Sequence, residues 1–190
     1  MRVGVLALQG DAREHIATLA SLGADAFPVK TLEDLGKADG LVIPGGESTT
    51  ISKLLVNFGL MSGVREFASN RPVLGTCAGL ILLSDKAKGA FSDQELIGGL
   101  PVTVERNAYG GQTHSFEAVV DIAGEAERVA FIRAPRILDA GDAEVIAQLN
   151  GEPVAVRAGN LVGATFHPEL TGGTRLHKVF LDLIEKKQEN

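Results

Sequence analysis

The chain has very little cysteine, few aromatic side chains and no long apolar segment. Of its 190 residues, one is Cys, one is Tyr and none is Trp. A single Cys cannot form an internal disulfide, which excludes a disulfide-stapled scaffold and favours a reducing compartment. The longest uncharged apolar run, 72–84, is too short to cross a bilayer, and the N-terminal apolar run is interrupted by Gln9 and Asp11 too soon for a signal peptide. We therefore expect a cytoplasmic protein with no contact to a membrane.

The chain also lacks an excess of positive charge. It has 18 Lys and Arg against 24 Asp and Glu, a formal net charge of -6, and the basic residues are spread along the sequence, so nucleic acid is not an expected ligand. Cys-x-x-Cys, His-x-x-x-His and clustered acidic patterns are missing, and we expect neither a metal nor another cofactor. The 45% of hydrophobic residues suffices for one domain, residues 1–190, with a sizeable core.

The N-terminal half alternates apolar runs with helical periodicity. Val3–Leu8 is apolar without polar alternation, which predicts a central strand covered on both faces. Further strands are expected at 24–29, 40–43 and around Val73 and Leu74, and helices at 12–22, 49–58 and 62–69, with a short helix or loop at 31–38. This rhythm predicts a parallel sheet with right-handed crossovers.

From about residue 86 the pattern changes to short, often alternating runs separated by Gly, Asn or Asp. These predict strands, many of them in hairpins, at 98–105, 115–120, 129–134, 144–149, 153–157 and 161–166. An amphipathic helix is expected at 174–187. The sequence therefore predicts an α/β domain whose mostly parallel sheet gains antiparallel strands in its C-terminal half, with the ligand site outside the carboxyl ends of the parallel strands.

The only cysteine lies between glycines where a strand turns into a helix. Gly75-Thr76-Cys77-Ala78-Gly79 has the pattern of a nucleophile elbow, in which a sharp turn imposes unusual backbone angles on the central residue. We expect the Cys77 side chain to point into solvent at a helix N-terminus, which favours the thiolate that attacks carbonyls. The alternative is a small buried hydrophobic residue, because free Cys is often buried.

A second glycine turn follows the strand at 40–43. Pro44-Gly45-Gly46-Glu47-Ser48 leads into a helix, so its backbone N–H groups can surround an anion or an oxyanion. A phosphate-binding loop would need Gly-Lys-Ser/Thr, which is absent. The structural alternative is a tight turn in which Ser48 caps the helix.

A thiol nucleophile needs a base, and the chain has four histidines. His15 and His177 lie among charged neighbours at helical spacing and are expected at the surface or an interface. His114 could line a pocket, but nothing near it in sequence would orient it. His167 follows a predicted strand and precedes Pro168, and Glu169 lies two positions later, on the same side of an extended backbone. We therefore predict Cys77, His167 and Glu169 as nucleophile, base and orienting carboxylate.

With these motifs in hand, the sequence resembles the class I (triad) glutamine amidotransferases, and more closely the glutaminase subunits of pyridoxal 5'-phosphate synthase. The closer resemblance rests on six motifs spread over nearly the whole chain: LALQGDAREH at 6–15, LVIPGGESTT at 41–50, GTCAGLILL at 75–83, VERNAYG at 104–110, FIRAPRIL at 131–138 and FHPELT at 166–171. It implies a three-layer, flavodoxin-like class I glutamine amidotransferase fold.

The resemblance implies hydrolysis of L-glutamine to L-glutamate and ammonia through a glutamyl thioester on Cys77. The ammonia would pass to a partner synthase subunit that builds the coenzyme from a pentose phosphate and a triose phosphate. Backbone N–H groups of Gly46 and Ala78 would meet the oxyanion, in a loop that family members hold misaligned until the partner docks. The positions that match the family's glutamine-binding residues are Gly46, Glu47, Ser48, Arg106, Ile132 and Arg133.

The chain departs from the family pattern after VERNAYG, where Gly111 and His114 stand in place of the usual Arg and Asp. These positions lie outside the triad, so we expect changed partner contacts and not changed chemistry. Two other hypotheses stay open at this point: an amidotransferase subunit that feeds a different acceptor, and a noncatalytic module that only senses glutamine.

Overall fold

A computed structural model of the chain describes residues 1–106 and 115–189. Its largest sheet has seven strands: β1 Arg2–Leu6, β2 Asp25–Val29, β3 Gly40–Ile43, β4 Val73–Thr76, β10 Glu144–Leu149, β11 Glu152–Ala158 and β12 Leu161–Ala164. Their spatial order is β10-β11-β12-β4-β3-β1-β2. The run from β12 to β2 is parallel, and β10 and β11 extend it in antiparallel fashion.

Helices cover both faces of this sheet. The α-helices are α1 Ala12–Ser21, α2 Leu32–Gly36, α3 Ser48–Asn57, α4 Met61–Asn70, α5 Ala78–Leu83 and α6 Arg175–Glu189. One apolar core includes side chains from α2 to α5, and the other includes side chains from α1 and α6. Strands β3, β4 and β12 are buried along their whole length, as parallel strands between two helical layers must be. The predicted three-layer, mostly parallel α/β fold is confirmed.

The remaining strands form two small sheets beside the main one. Strands β5 Ser84–Lys88, β6 Leu100–Glu105 and β9 Arg136–Asp139 form one sheet, and β7 Phe116–Ile122 pairs with β8 Glu125–Phe131 in a hairpin. The sequence did not predict β5 or β9, because both are short, largely exposed and without a run of apolar residues. Only β10 and β11 therefore extend the main sheet as antiparallel strands.

The expected central position of the first strand needs correction, and the structure decides between the short helix and the loop that were both open at 31–38. The first strand is buried but lies next to the edge strand β2, and the middle position belongs to β4, which carries the elbow at its end. The segment 31–38 contains the short helix α2, because Thr31 and Asp34 form a reciprocal capping box at its start. Within the described part of the chain, no helix combines the length and the apolar character needed to span a membrane.

Candidate active site

Four neighbouring parallel strands end at the same edge of the sheet. In spatial order they are β12, β4, β3 and β1, and the chain continues from their carboxyl ends into His167, Cys77, the turn at Gly45 and Gly46, and the segment Gln9 to Asp11. Because the strands are adjacent, residues that are up to 158 positions apart in sequence come together at one edge. The predicted location of the site therefore agrees with the strand order.

Cys77 occupies a strained turn between β4 and α5. Its φ is 48° and its ψ is -102°, a backbone conformation that non-glycine residues rarely adopt. The flanking glycines allow close packing, since a Cβ on Gly75 would lie 2.5 Å from the backbone of Gly79, and one on Gly79 would lie 2.1 Å from the carbonyl oxygen of Ile43. These contacts explain why the elbow carries glycine on both sides.

The sequence predicted that the Cys77 side chain points into solvent. In the structure it does not project into bulk solvent. The residue is 7% exposed and lines a cavity of about 440 Å³ at the sheet edge, with Sγ 4.0 Å from the carbonyl oxygen of Ile132. The reason is that α3, the turn at Gly46 and the segment after β8 surround the elbow. A small substrate in the cavity can still reach the sulfur.

His167 lies beside Cys77 and is oriented from its other side. Its Nδ1 is 2.8 Å from Oε1 of Glu169, which leaves Nε2 as the ring nitrogen available to the sulfur. The backbone conformation that brings Glu169 to His167 differs from the expected one, because Pro168–Leu170 form a 3-10 helix and not an extended strand. The backbone of His167 is fixed by the hairpin, with its N–H donating to the carbonyl of Ala130 at 2.7 Å.

Gly45 determines how closely the His167 ring approaches the turn after β3. A Cβ on Gly45 would lie 2.2 Å from Cε1 and 2.9 Å from Nδ1 of His167. Any larger residue at this position would push the ring away. Gly45 is thus required by the close approach of the imidazole.

The protonation of His167 is set by its acidic neighbours. Burial alone would lower the pKa of His167, but hydrogen bonds to Cys77 and Glu169, with the charges of the same two groups, raise it to about 10. The imidazole is therefore a cation at neutral pH, poised opposite a sulfur that can carry negative charge. A histidine within hydrogen-bond reach of a cysteine is compatible with the predicted roles of base and nucleophile.

Asp11 adds to the site a second carboxylate, which no sequence motif indicated. Its Oδ2 lies 3.5 Å from Nδ1 of His167, and its side chain does not cap α1 although it stands at the N-cap position. Burial raises the pKa of Asp11, and the charge of Glu14 raises it further, whereas the charge of His167 lowers it. The signal that could have found Asp11 is its place directly after a buried parallel strand.

Asp11, His167 and Glu169 also bring one potential metal ligand each within 4.8 Å of one another. The short contact between Nδ1 of His167 and Glu169 is the hydrogen bond of an oriented imidazole. The expectation that the chain needs no metal stays a prediction.

Arg106 and Glu47 form one side of the cavity. The Arg106 guanidinium donates to Oε1 of Glu47 at 2.9 Å and to the side-chain oxygens of Thr49 and Gln94 at 3.0 and 3.1 Å. Burial raises the pKa of the Glu47 carboxyl, but hydrogen bonds from Thr50 and Thr49 and the charge of Arg106 bring it below its ordinary value. No sequence pattern indicated Gln94, which comes from the loop between β5 and β6.

Glu47, and not Ser48, caps helix α3. Its carboxylate accepts from the backbone N–H groups of Thr49 and Thr50 at 3.2 and 2.7 Å. Ser48 is the first helical residue and is buried, and its hydroxyl has no hydrogen-bond partner among the described residues. The structural alternative proposed for this turn therefore assigned the cap to the wrong residue.

The predicted oxyanion and glutamine-binding residues share one cavity. Ala78 begins α5, so its backbone N–H belongs to the first turn, which has no acceptor within the helix. Arg133 has a positive φ of 45° and an exposed side chain. The predicted residues that line the cavity are Gly46, Glu47, Ser48, Cys77, Ala78, Arg106, Ile132, Arg133 and His167. Glu169 lies behind His167.

The expectation that His15 and His177 are surface residues is wrong. Both are 0% exposed, and Nδ1 of His15 lies 2.9 Å from Nε2 of His177. The charged neighbours Arg13, Glu14 and Lys178 are exposed, whereas the imidazoles on α1 and α6 contact each other. Gly111 and His114, where altered partner contacts were expected, lie outside the described residues.

Comparisons with known proteins give one consistent relationship. Residues 5–186 match the model of the SNO glutamine amidotransferase family. The chain is 53% identical over 187 residues to the pyridoxal 5'-phosphate synthase subunit PdxT of Streptomyces coelicolor, covering 96% of this chain and 93% of that protein. It is 48% identical over 190 residues to the PdxT of Brevibacillus brevis, covering 98% of both.

Solved structures give the same relationship at the level of the fold. A crystal structure of a glutamine amidotransferase superimposes with a TM-score of 0.91 at 44% identity, covering 96% of this chain and 98% of that one. The structure of PurLQS from Thermotoga maritima covers 95% of this chain and 97% of its own matched chain, with a TM-score of 0.66 at 17% identity, a likeness of fold alone.

Proposed function

The chain belongs to the SNO glutamine amidotransferase family, and we propose that it is the glutaminase subunit of pyridoxal 5'-phosphate synthase. It hydrolyses L-glutamine to L-glutamate and ammonia and delivers the ammonia to a partner synthase subunit in the cytoplasm. Near-complete coverage of the PdxT relatives supports this assignment and supports a single amidotransferase domain over residues 1–190. The observation that carries the chemistry is the hydrogen-bonded set of Cys77, His167 and Glu169 at the cavity.

The first half of the reaction transfers the glutamyl group to sulfur. The Cys77 thiolate attacks the side-chain amide carbon of glutamine and forms a tetrahedral intermediate. The N–H groups of Gly46 and Ala78 stabilise its oxyanion. The His167 imidazolium gives its proton to the amide nitrogen, the C–N bond breaks, ammonia leaves, and a glutamyl thioester remains on Cys77.

The second half releases glutamate. The neutral His167 imidazole takes a proton from water, whose oxygen attacks the thioester carbonyl. The C–S bond breaks, and the imidazolium and thiolate of the resting site are restored. Glu169 holds Nδ1 throughout, so Nε2 faces the reacting atoms in both halves.

Substrate selection uses the polar side of the cavity. A guanidinium suits the α-carboxylate of an amino acid because it can donate two parallel hydrogen bonds. Arg106 and Arg133 both line the cavity, and Arg106 is held in place by Glu47, Thr49 and Gln94. The cavity volume of about 440 Å³ is large enough for a single amino acid.

The test is a glutamine hydrolysis assay with and without the cognate synthase subunit. We expect ammonia release with the partner present, complete loss in Cys77→Ala and little activity in Cys77→Ser, with circular dichroism as the control for folding. A complex that leaves glutamine intact would overturn the enzyme assignment in favour of a sensing module. Activity that supplies another acceptor enzyme, and does not respond to the synthase, would overturn the assignment to coenzyme synthesis.

A further inference from the structure

A buried polar cluster, which we call the histidine cluster, lies directly behind the proposed triad. It consists of His15 from α1, His177 from α6 and Thr76 from the end of β4, and it touches Glu169. Nε2 of His15 lies 3.1 Å from Oγ1 of Thr76 and 3.4 Å from Oε1 of Glu169, and Nδ1 of His15 lies 2.9 Å from Nε2 of His177. The proposed reaction makes no use of either histidine.

His15 places a second ring nitrogen close to the Glu169 carboxylate, at 3.4 Å and without the geometry of a hydrogen bond. The Glu169 side chain is fully buried, and its Oε2 has no hydrogen-bond partner among the described residues. Its Oε1 is within reach of two ring nitrogens, Nδ1 of His167 at 2.8 Å and Nε2 of His15 at 3.4 Å. A buried carboxylate with one hydrogen-bonded ring nitrogen is costly, so a second polar N–H nearby, fixed by its own hydrogen bond to Thr76, can stabilise its charge and orientation.

The unpartnered atoms of the cluster determine the tautomers. Nδ1 of His177 is buried and has no partner in the described part of the chain. An unpaired acceptor is less costly than an unpaired N–H, so this nitrogen carries no proton, and Nε2 of His177 donates to Nδ1 of His15. His15 then carries its proton on Nε2, where it faces the Thr76 hydroxyl and the Glu169 carboxylate. The opposite tautomer would place a lone pair against that carboxylate.

We propose that His15, held in this tautomer by His177, is a positioning residue for the reaction. Its Nε2–H is hydrogen-bonded to Thr76, the residue before the nucleophile, and lies 3.4 Å from the carboxylate that orients the base, so that Cys77, His167 and Glu169 keep their relative placement. His15 touches no substrate and acts through Glu169 and Thr76. This inference rests on the proposed function and names a further residue on which that function depends.

The charges around His15 are consistent with a neutral imidazole. Burial lowers the pKa of His15 well below its ordinary value, and the charges of His177 and His167 lower it further. Burial lowers the pKa of His177 to about 4. The groups that face His15 are His177 from α6, Thr76 from β4, Glu169 from the 3-10 helix and the His167 cation, and its own segment contributes Asp11 and Glu14. Neither cluster histidine therefore carries charge at neutral pH.

The test compares His15→Leu with His15→Gln. Leu keeps apolar volume and removes the donor, whereas the Gln amide can place an N–H where Nε2 stands. For His15→Leu in the complex we expect kcat to fall roughly 10-fold to 100-fold, with KM little changed. This is the loss seen when a residue that orients a metal ligand is replaced in other enzymes. His15→Gln should recover most of the lost rate.

The second readout uses the only cysteine of the chain and needs no turnover. The rate of iodoacetamide alkylation of Cys77 against pH reports the thiolate that His167 supports, and its midpoint should move to higher pH in His15→Leu but not in His15→Gln. The matched control is Leu19→Ala, a buried substitution on the same helix, which should lower thermal stability and leave the midpoint unchanged.

The proposal is overturned if folded His15→Leu keeps the wild-type kcat and midpoint. It is also overturned if Leu and Gln variants lose the same activity with no shift in midpoint, which would indicate packing alone. If His15→Leu does not fold, the comparison of His15→Gln with His15→Asn decides, because the shorter amide cannot reach Glu169 and should show the shift. Wild-type complex that fails to hydrolyse glutamine contradicts the proposed function, and the alkylation profiles still decide the role of His15.

Discussion

His167 and the His15–His177 pair are almost equally buried, but their protonation is shifted in opposite directions. His167 is 4% exposed, and each member of the pair is 0% exposed. Against the desolvation that lowers its pKa, His167 has hydrogen bonds to Cys77 and Glu169 that raise the value to about 10. Among the described residues, the hydrogen-bond partner of the His177 ring is the neutral imidazole of His15, and burial lowers the pKa of His177 to about 4. The partner, and not the depth of burial, decides which histidine is a cation.

The difference has opposite consequences for stability on the two sides of neutral pH. The raised pKa of His167 contributes stability that is fully present below pH 6.5 and is lost as the pH rises through about 10. The lowered pKa of His177 has the reverse sign, because below pH 6.5 the unfolded chain binds a proton that the folded chain excludes. The same fold therefore contains a charged imidazole suited to proton transfer and a neutral pair suited to a fixed hydrogen bond.

Removing His167, the charged histidine, should have the largest effect on glutamine turnover. His167→Asn deletes the group that we propose as the support of the thiolate and the proton donor to ammonia, and we expect glutamine turnover by the complex to fall roughly 10³-fold to 10⁴-fold. Ammonia release is the measurement, and thermal unfolding is the control. A loss smaller than about 10-fold would mean that another base serves Cys77.

Replacing Glu169, the carboxylate partner of His167, should lower the pKa of His167 towards the values of His15 and His177. Glu169→Gln removes the negative charge at 2.8 Å while keeping the size of the side chain, so the pKa of His167 should fall. We expect turnover to decrease roughly 10²-fold and the upper limb of the pH–rate profile to move to lower pH. An unchanged profile would show that Asp11, the other carboxylate near Nδ1, provides the charge that matters.

Displacing the ring without changing its partners should have a smaller effect. In Gly45→Ala the new Cβ meets Cε1 of His167 at 2.2 Å, and a displacement of about 1 Å can cost about 10²-fold in rate. Since the loop can yield, we expect a decrease of roughly 10-fold to 100-fold in kcat. Gly36→Ala is the matched control, because a Cβ there meets nothing within 4 Å and its activity should equal that of wild type. Equal activity of the two variants would refute the close approach.

Lowering the pH should destabilise the fold through the neutral histidines His15 and His177. Of the four changes predicted here, this one should affect the activity of the enzyme least. For each buried neutral histidine, the free energy of unfolding should decrease by about 1.4 kcal/mol per pH unit below 6.5, and the His177 contribution should level off near pH 4. Urea unfolding at several pH values measures this slope. In His177→Gln the slope should decrease by the amount that corresponds to uptake of about one proton on unfolding. A slope equal to that of wild type would mean that His177 is protonated in the fold.

The parts of the structure that depend on local pattern could be predicted from the sequence. Continuous apolar runs identified the buried strands, and the position of Gly45, Gly46 and Cys77 after such strands indicated the sheet edge at which the candidate site lies. The rule that parallel strands present ligands at their carboxyl ends is sufficient for this step. The same rule, applied to β1, would have added Asp11.

The parts that depend on tertiary packing could not be predicted. His15 and His177 have the polar neighbours of surface residues, and they are buried because α1 and α6 bring the two imidazoles together beside Thr76 and Glu169. The contact of Glu169 with His167 was expected from an extended backbone but arises from a 3-10 helix. Gln94 comes from a loop without periodicity, so no local signal connects it with Arg106.

The central claim is that Cys77 carries the glutamyl group while the amide is cut. The most direct measurement is an acid quench of the complex during glutamine turnover, followed by mass analysis of the peptide that contains Cys77. We predict a glutamyl thioester on this peptide, which is absent in Cys77→Ala, and no ammonia release by that variant. Sustained ammonia release by Cys77→Ala would contradict the account.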